Sequence, residues 1–177
     1  IKAEVLESVI KTSPCAKALL LNSPNNPTGS VYTRKELKDI AEVCLRYNIL
    51  VVSDEIYERL VYDDVQHVSI ASVSEAMKQQ TVVINGVSKA YAMTGWRLGY
   101  AAGPEHIIAA AGRVQEHATS CVNSITQKAC VTALLEEDDS IEKMRVEFSK
   151  RRDFLYSELA GIPHLTCYKP QGAFYIM

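Results

Sequence analysis

No CxxC pair joins any of the five cysteines, Cys15, Cys44, Cys121, Cys130 and Cys167; their odd number and wide scatter exclude both a disulfide framework and a structural zinc site. Thiols left unpaired in this way suit a reducing cytoplasm. The four histidines, His67, His106, His117 and His164, are equally dispersed and read as surface or packing residues, so no metal is expected. There is no GxGxxG turn, no Walker loop and no Ser-His-Asp set with a nucleophile elbow. No apolar run approaches the roughly 20 residues a membrane span needs, and the start does not read as a signal peptide. A formal charge of −2 provides no basic field for nucleic acid or anionic lipid.

What remains is ordinary in composition. With 177 residues, 47% of them apolar and 23% charged, the chain can bury a sizeable core as one or two domains. It begins with Ile1 and stops at Met177 inside the apolar, aromatic run Ala173-Phe174-Tyr175-Ile176-Met177, which reads as an unfinished strand. A piece cut at both ends is the expectation.

The hydrophobic pattern predicts alternating strands and helices. Ala16 to Leu21 is a short apolar run bounded by Pro14 and by the turn-rich Asn22-Ser23-Pro24-Asn25-Asn26-Pro27-Thr28-Gly29, hence a buried strand followed by a rigid loop. Thr33 with Glu36 forms a capping-box signature, and Leu37, Ile40, Ala41, Cys44 and Leu45 then share one face, so Thr33 to Tyr47 should be an amphipathic helix. Ile49 to Ser53 is the unbroken apolar run of a parallel strand, completing a βαβ unit. A short helix over Ser69 to Lys78, a third strand over Thr81 to Ile84 and a fourth over Leu98 to Ala102 follow. Ile141, Met144, Phe148 and Leu155 form an apolar stripe among Glu142, Lys143, Arg145, Glu147, Lys150 and Arg151, an amphipathic helix ended by Gly161 and Pro163.

Three of these strands end in loops loaded with reactive side chains: Asn25-Asn26-Pro27-Thr28 after the first, Asp54-Glu55-Ile56-Tyr57 after the second, Ser88-Lys89 after the third. If the strands are parallel, all three loops emerge at the carboxyl edge of the sheet, where open α/β sheets bind ligands. A lysine amine near a carboxylate, a phenol, an amide and an arginine suggests covalent chemistry on an aldehyde. Pyridoxal phosphate (PLP) exploits such a set: its ring nitrogen wants a carboxylate, its phosphate an arginine, its phenolic oxygen hydrogen-bond donors. Asp54, Arg97, Tyr57 and Asn26 suit those roles. Glu55, next along the strand end, should point the other way. Trp96 and Met93, beside the arginine, are placed to line the pocket, although large apolar residues beside a buried loop more often serve as packing.

Asn25-Asn26-Pro27-Thr28-Gly29, Ser53-Asp54-Glu55-Ile56-Tyr57 and Ser88-Lys89-Ala90-Tyr91-Ala92-Met93-Thr94-Gly95-Trp96-Arg97-Leu98-Gly99 together resemble the class I/II aminotransferases of the aspartate aminotransferase fold. The resemblance runs through essentially the whole chain, as an internal fragment. It implies an α/β fold, a three-layer PLP-transferase-like major domain with a mostly parallel sheet over 1–137, then over 138–177 a linking helix and the start of a smaller α+β domain with strands near Leu165 and Ala173. By the same resemblance Lys89 forms the internal aldimine and shuttles the α-proton, Asp54 pairs with the ring nitrogen, and Tyr57 and Asn26 hydrogen-bond the phenolic oxygen. Asn26 also touches the substrate carboxylate, Arg97 clamps the phosphate, and Ser88 assists where relatives carry a serine in place of Gly86. A cis Asn26-Pro27 peptide is expected too.

The function implied is amino-group transfer between an amino acid of aspartate type and a 2-oxo acid, within biosynthetic amino acid metabolism, by a cytoplasmic homodimer with Asn123 and Ser124 near the neighbouring subunit. The glycine-rich phosphate turn, the ring-stacking aromatic and the substrate-carboxylate arginine have no match in this sequence, so the fragment alone should be inactive. A PLP-dependent lyase resembling ACC synthase, or a catalytically silent PLP-fold sensor domain, would share the same cofactor residues.

Overall fold

The computed structural model describes residues 1–136 and 139–177. After helix α1 (Ala3–Thr12), strands β1 (Ala18–Asn22), β2 (Leu50–Asp54) and β3 (Thr81–Gly86) lie side by side and parallel in chain order. Strand β4 (Gly99–Ala102) returns antiparallel on the edge of β3. The connection over 87–98 holds only a 3₁₀ turn, Thr94–Trp96, and lacks the crossover helix that a parallel return requires. Pairing of Asn22 with Asp54 and of Asp54 with Ile84 brings the carboxyl ends of the first three strands level.

Helix α2 (Arg34–Arg46) forms the first crossover. The capping box is realised: Thr33 Oγ1 accepts from the Glu36 N–H, and the Glu36 carboxylate accepts from the Thr33 N–H at 2.8 Å. Its buried face, Leu37, Ile40, Ala41, Val43 and Cys44, joins Leu21, Val51, Ile70 and Met77 in the main core.

The helix expected over Ser69 to Lys78 divides into a 3₁₀ turn, Ile70–Ser72, and the short α3 (Glu75–Lys78). Ser74 between them is extended, and its hydroxyl accepts from Met77 N–H, which restarts the helix. Helices α4 (Glu105–Thr119), α5 (Ser124–Leu135) and α6 (Ser140–Ala160) complete the chain. Among the described residues none is long and apolar enough to cross a membrane.

The domain boundary expected at 137/138 lies outside the described residues. Of the stripe expected on α6, Met144 and Phe148 pack on Tyr57, Leu60 and Ala173, whereas Leu155 is exposed and the buried residue is charged Arg152. The strands expected near Leu165 and Ala173 are absent: His164 and Ala173 have φ of 65° and 57°, left-handed backbone that cannot continue a strand. A single antiparallel bridge joins Val61 to Gly172 there, and the Gln171 and Gly172 N–H groups both donate to the Gly29 carbonyl at 2.9 Å. Gly29 is at φ 67°, and a β-carbon on it would lie 2.3 Å from Pro170 Cβ, so only glycine allows the close approach.

Candidate functional site

The loop after β1 is laced by its own side chains. Asn25 Oδ1 accepts from the Thr28 N–H and hydroxyl at 3.2 and 2.7 Å, closing the turn around Pro27, and the Asn26-Pro27 peptide is cis as expected. Asn22, the last residue of β1, joins this loop to β2: its Nδ2 donates to the Asp54 carbonyl at 3.1 Å, while its Oδ1 accepts from the Asn26 N–H at 2.7 Å.

Strand alternation then separates two carboxylates. Asp54 lines a cavity of about 730 Å³ together with Asn22, Asn26, Tyr57, Lys89 and Tyr175. One Asp54 oxygen accepts from the Ile56 N–H at 3.2 Å, and the other makes no hydrogen bond among the described residues. Glu55 faces the opposite way, as expected, into a buried set where its carboxylate accepts from Ser53 and Ser69 at 2.8 and 2.7 Å and meets His67 Nε2 at 3.1 Å. Burial alone would raise the Glu55 pKa, but these three hydrogen bonds outweigh it and hold the carboxyl below its ordinary value.

Lys89 is half-buried near the start of the loop after β3. Its Nζ makes no hydrogen bond or ion pair among the described residues and rests 5.7 Å from the Tyr57 ring centroid and 5.5 Å from that of Phe174. The Tyr57 hydroxyl lies 2.7 Å from that of Tyr175. Burial first, then the hydrogen bond and charge of Tyr175 and the charge of Asp54, push the Tyr57 pKa up against an opposing hydrogen bond with Asn26. A phenol so placed stays protonated and remains a donor.

Of the residues singled out in the sequence, the structure thus gathers Lys89, Asp54, Tyr57 and Asn26 around one cavity. A primary amine, a carboxylate, a phenol and an amide there match what an aldehyde, a ring nitrogen and a phenolic oxygen require. Arg97 and Ser88 are not among that cavity's lining. Arg97, exposed and at φ 55°, donates from Nη1 to the Thr94 carbonyl at 2.9 Å and opens onto a different cavity of about 820 Å³ with Trp96, Cys121 and Asn123. Trp96 is therefore 46% exposed, not packed as the sequence suggested. Ser88 is half-buried, and the Gly86 N–H donates to Asn85 Oδ1 at 2.7 Å. Asn123 caps α5, its Oδ1 accepting from Ile125 N–H at 2.9 Å, and Ser124 opens that helix.

Two residues at the site carried too little signal to be singled out. Asn22 stood inside the turn-rich stretch without a chemical role of its own. Tyr175 lies 118 residues from Tyr57 in sequence, beyond the reach of any local pattern.

The class I and II aminotransferase family model matches residues 1–177. The chain is 52% identical over 164 residues to an aspartate aminotransferase of Geobacillus stearothermophilus, covering 93% of this chain and 42% of that protein. It is 50% identical over 177 residues to an aspartate aminotransferase of Bacillus sp. (strain YM-2), covering all of this chain and 45% of that one. Among solved structures, the aspartate aminotransferase of Rhizobium meliloti superposes with a TM-score of 0.96 at 43% identity, over 99% of this chain and 44% of its own. The chain spans less than half the length of these relatives. With the family matched from end to end and the fold shared at that level, the chain belongs to the class I and II aminotransferases.

Proposed function

We propose that this chain supplies the cofactor-anchoring part of a PLP-dependent aminotransferase that moves an amino group between an amino acid, of aspartate type by its relatives' names, and a 2-oxo acid. The observation that carries the reading is Lys89: an amine without a hydrogen-bond partner among the described residues, sharing a cavity with Asp54, Asn26 and Tyr57.

When bound, PLP supplies an electron-withdrawing ring that accepts the charge left as the substrate loses its α-proton. Lys89 Nζ binds the cofactor aldehyde and, once free, carries the α-proton as general base and acid. The Asp54 carboxylate, with one oxygen still open, holds a proton at the ring nitrogen. Tyr57, kept protonated by burial, donates to the phenolic oxygen beside Asn26, and Asn26 also receives the substrate carboxylate. The Tyr57, Phe174 and Tyr175 rings, stacked edge to face or tilted, shield the amine from water. Arg97 and Ser88 take the phosphate, with the Arg97 guanidinium leaving the Thr94 carbonyl to do so.

The proposal extends to a division into a major domain over 1–137 and the start of a smaller one over 138–177, and to a homodimer in the cytoplasm, where the five free cysteines stay reduced. Borohydride reduction of the PLP-loaded full-length protein, followed by peptide mapping, tests the core of it. The adduct is expected on Lys89; an adduct on another lysine, or none, overturns the assignment.

A further inference from the structure

We propose that Tyr175 is a positioning residue that acts through Tyr57: its hydroxyl donates to the Tyr57 oxygen, so that the single Tyr57 proton is turned into the Lys89 cavity toward an anionic oxygen. The inference rests on the reading of the cavity as a PLP site.

The two hydroxyl oxygens are 2.7 Å apart, and either can donate to the other. A phenol has one proton and two acceptor sites. Once an anionic oxygen takes the Tyr57 proton as its hydrogen bond, the pair survives only with Tyr175 as donor. Tyr57 then accepts from Tyr175 and donates its single proton to the anion.

The surrounding structure fixes Tyr175 for that task. Its ring meets Tyr57 edge to face at 5.9 Å and Phe174 at 4.9 Å, and Phe174 stacks on Phe148 of α6 at 5.3 Å. The preceding backbone is pinned at both sides, by Gln171 and Gly172 N–H on the Gly29 carbonyl and by Ala173 N–H on the Leu60 carbonyl at 2.9 Å. The Tyr62 hydroxyl donates to the Ala173 carbonyl as well. The loop after β1 and the loop after β2 therefore both hold the segment that carries Tyr175. Besides Tyr175, the charged groups facing Tyr57 are Asp54 and Lys89, and neither offers its hydroxyl a proton in the way Tyr175 does.

A donor that polarises Tyr57 strengthens its bond to an anion, since chained hydrogen bonds reinforce one another. Donors to the anionic phenolic oxygen favour the deprotonated form of lysine-bound PLP and lower the pH midpoint of its visible absorbance change. The test is that midpoint in the PLP-loaded full-length protein, for Tyr175→Phe, Tyr57→Phe and the double variant. Tyr175→Phe keeps the ring contacts and should raise the midpoint by about 0.3 unit or more through loss of the reinforcing bond. Tyr57→Phe should raise it further, and the double variant should match Tyr57→Phe alone, because Tyr175 has nothing left to act through. An unmoved midpoint in Tyr175→Phe, or additive shifts in the double variant, overturns the relay and leaves the PLP site standing. No visible band, or no shift in Tyr57→Phe, overturns the site reading and the relay together.

Discussion

Arg152 on α6, buried to 5% exposure, grips Asp63 with two guanidinium nitrogens at 2.9 and 3.0 Å, across 89 residues of chain. The same guanidinium donates to the Pro170 carbonyl at 3.2 Å and lies 4.7 Å from the Tyr62 ring. One side chain therefore fastens the helix to the loop after β2 and to the segment that leads to Tyr175. Arg152→Ala should destabilise the protein by about 2–4 kcal/mol, since it strips a buried carbonyl of its donor and breaks a paired charge. Asp63→Asn, whose partner keeps Asp153 and Pro170, should cost less than half as much. Urea denaturation midpoints of the two variants check the ranking, and equal costs would show that the Asp63 pair alone holds the joint.

Acid should loosen the molecule through Glu55. Its folded pKa lies below the ordinary 4.5, burial being outweighed by hydrogen bonds from His67, Ser69 and Ser53. A carboxylate depressed in this way contributes stability that is complete above the unfolded value and is lost as pH falls through the folded one. Below about pH 4.5 the urea midpoint should drop, and in Glu55→Gln that acid limb should be shallower while stability at neutral pH falls by about 1–3 kcal/mol. An unchanged acid limb in the variant would assign the loss to other carboxylates.

What the sequence made legible follows the range of each interaction. The capping box at Thr33 and Glu36 is local, and α2 appears where it was expected. Strand-end placement of Asn26, Asp54 and Lys89 needs only the βαβ pattern, and they share a cavity. The Arg152 anchor could not be read, because a charged residue on a helix ordinarily faces water, and its partners Asp63 and Pro170 lie far away in the chain. Nor could the left-handed φ of Ala173, which turns an apolar run that looks like a strand into a pinned loop. Arg97 shows the same limit: its spacing from Lys89 is local, but its left-handed backbone and its place in a different cavity are set by the fold.

Asp54 and Arg97 should fail in different ways. Asp54→Ala removes the group proposed to keep the ring nitrogen protonated, so kcat should fall on the order of 10²-fold or more while PLP affinity changes less. Arg97→Ala removes the proposed phosphate partner and should weaken PLP retention, measured as the PLP Kd, with a smaller effect on kcat at saturating cofactor. The reverse pattern would exchange the two roles. Product analysis in the same assays distinguishes a 2-oxo acid from an elimination product, and only the former fits amino-group transfer.

Asn22→Ala should separate stability from site geometry. The Asp54 carbonyl keeps a second donor, the Ser23 N–H at 3.1 Å, and the Asn26 N–H that loses its acceptor is exposed enough for water to replace it. The stability cost should therefore stay near 1 kcal/mol, the net worth of one hydrogen bond. The Asn26 loop, however, loses its direct tie to β2, so the amide that faces the Tyr57 hydroxyl is no longer held in place. The absorbance midpoint of lysine-bound PLP should rise toward that of Asn26→Ala, and the double variant should show no further rise, because the tie from Asn22 toward the Tyr57 hydroxyl runs through Asn26. A large loss of stability with an unmoved midpoint would make Asn22 a structural brace alone.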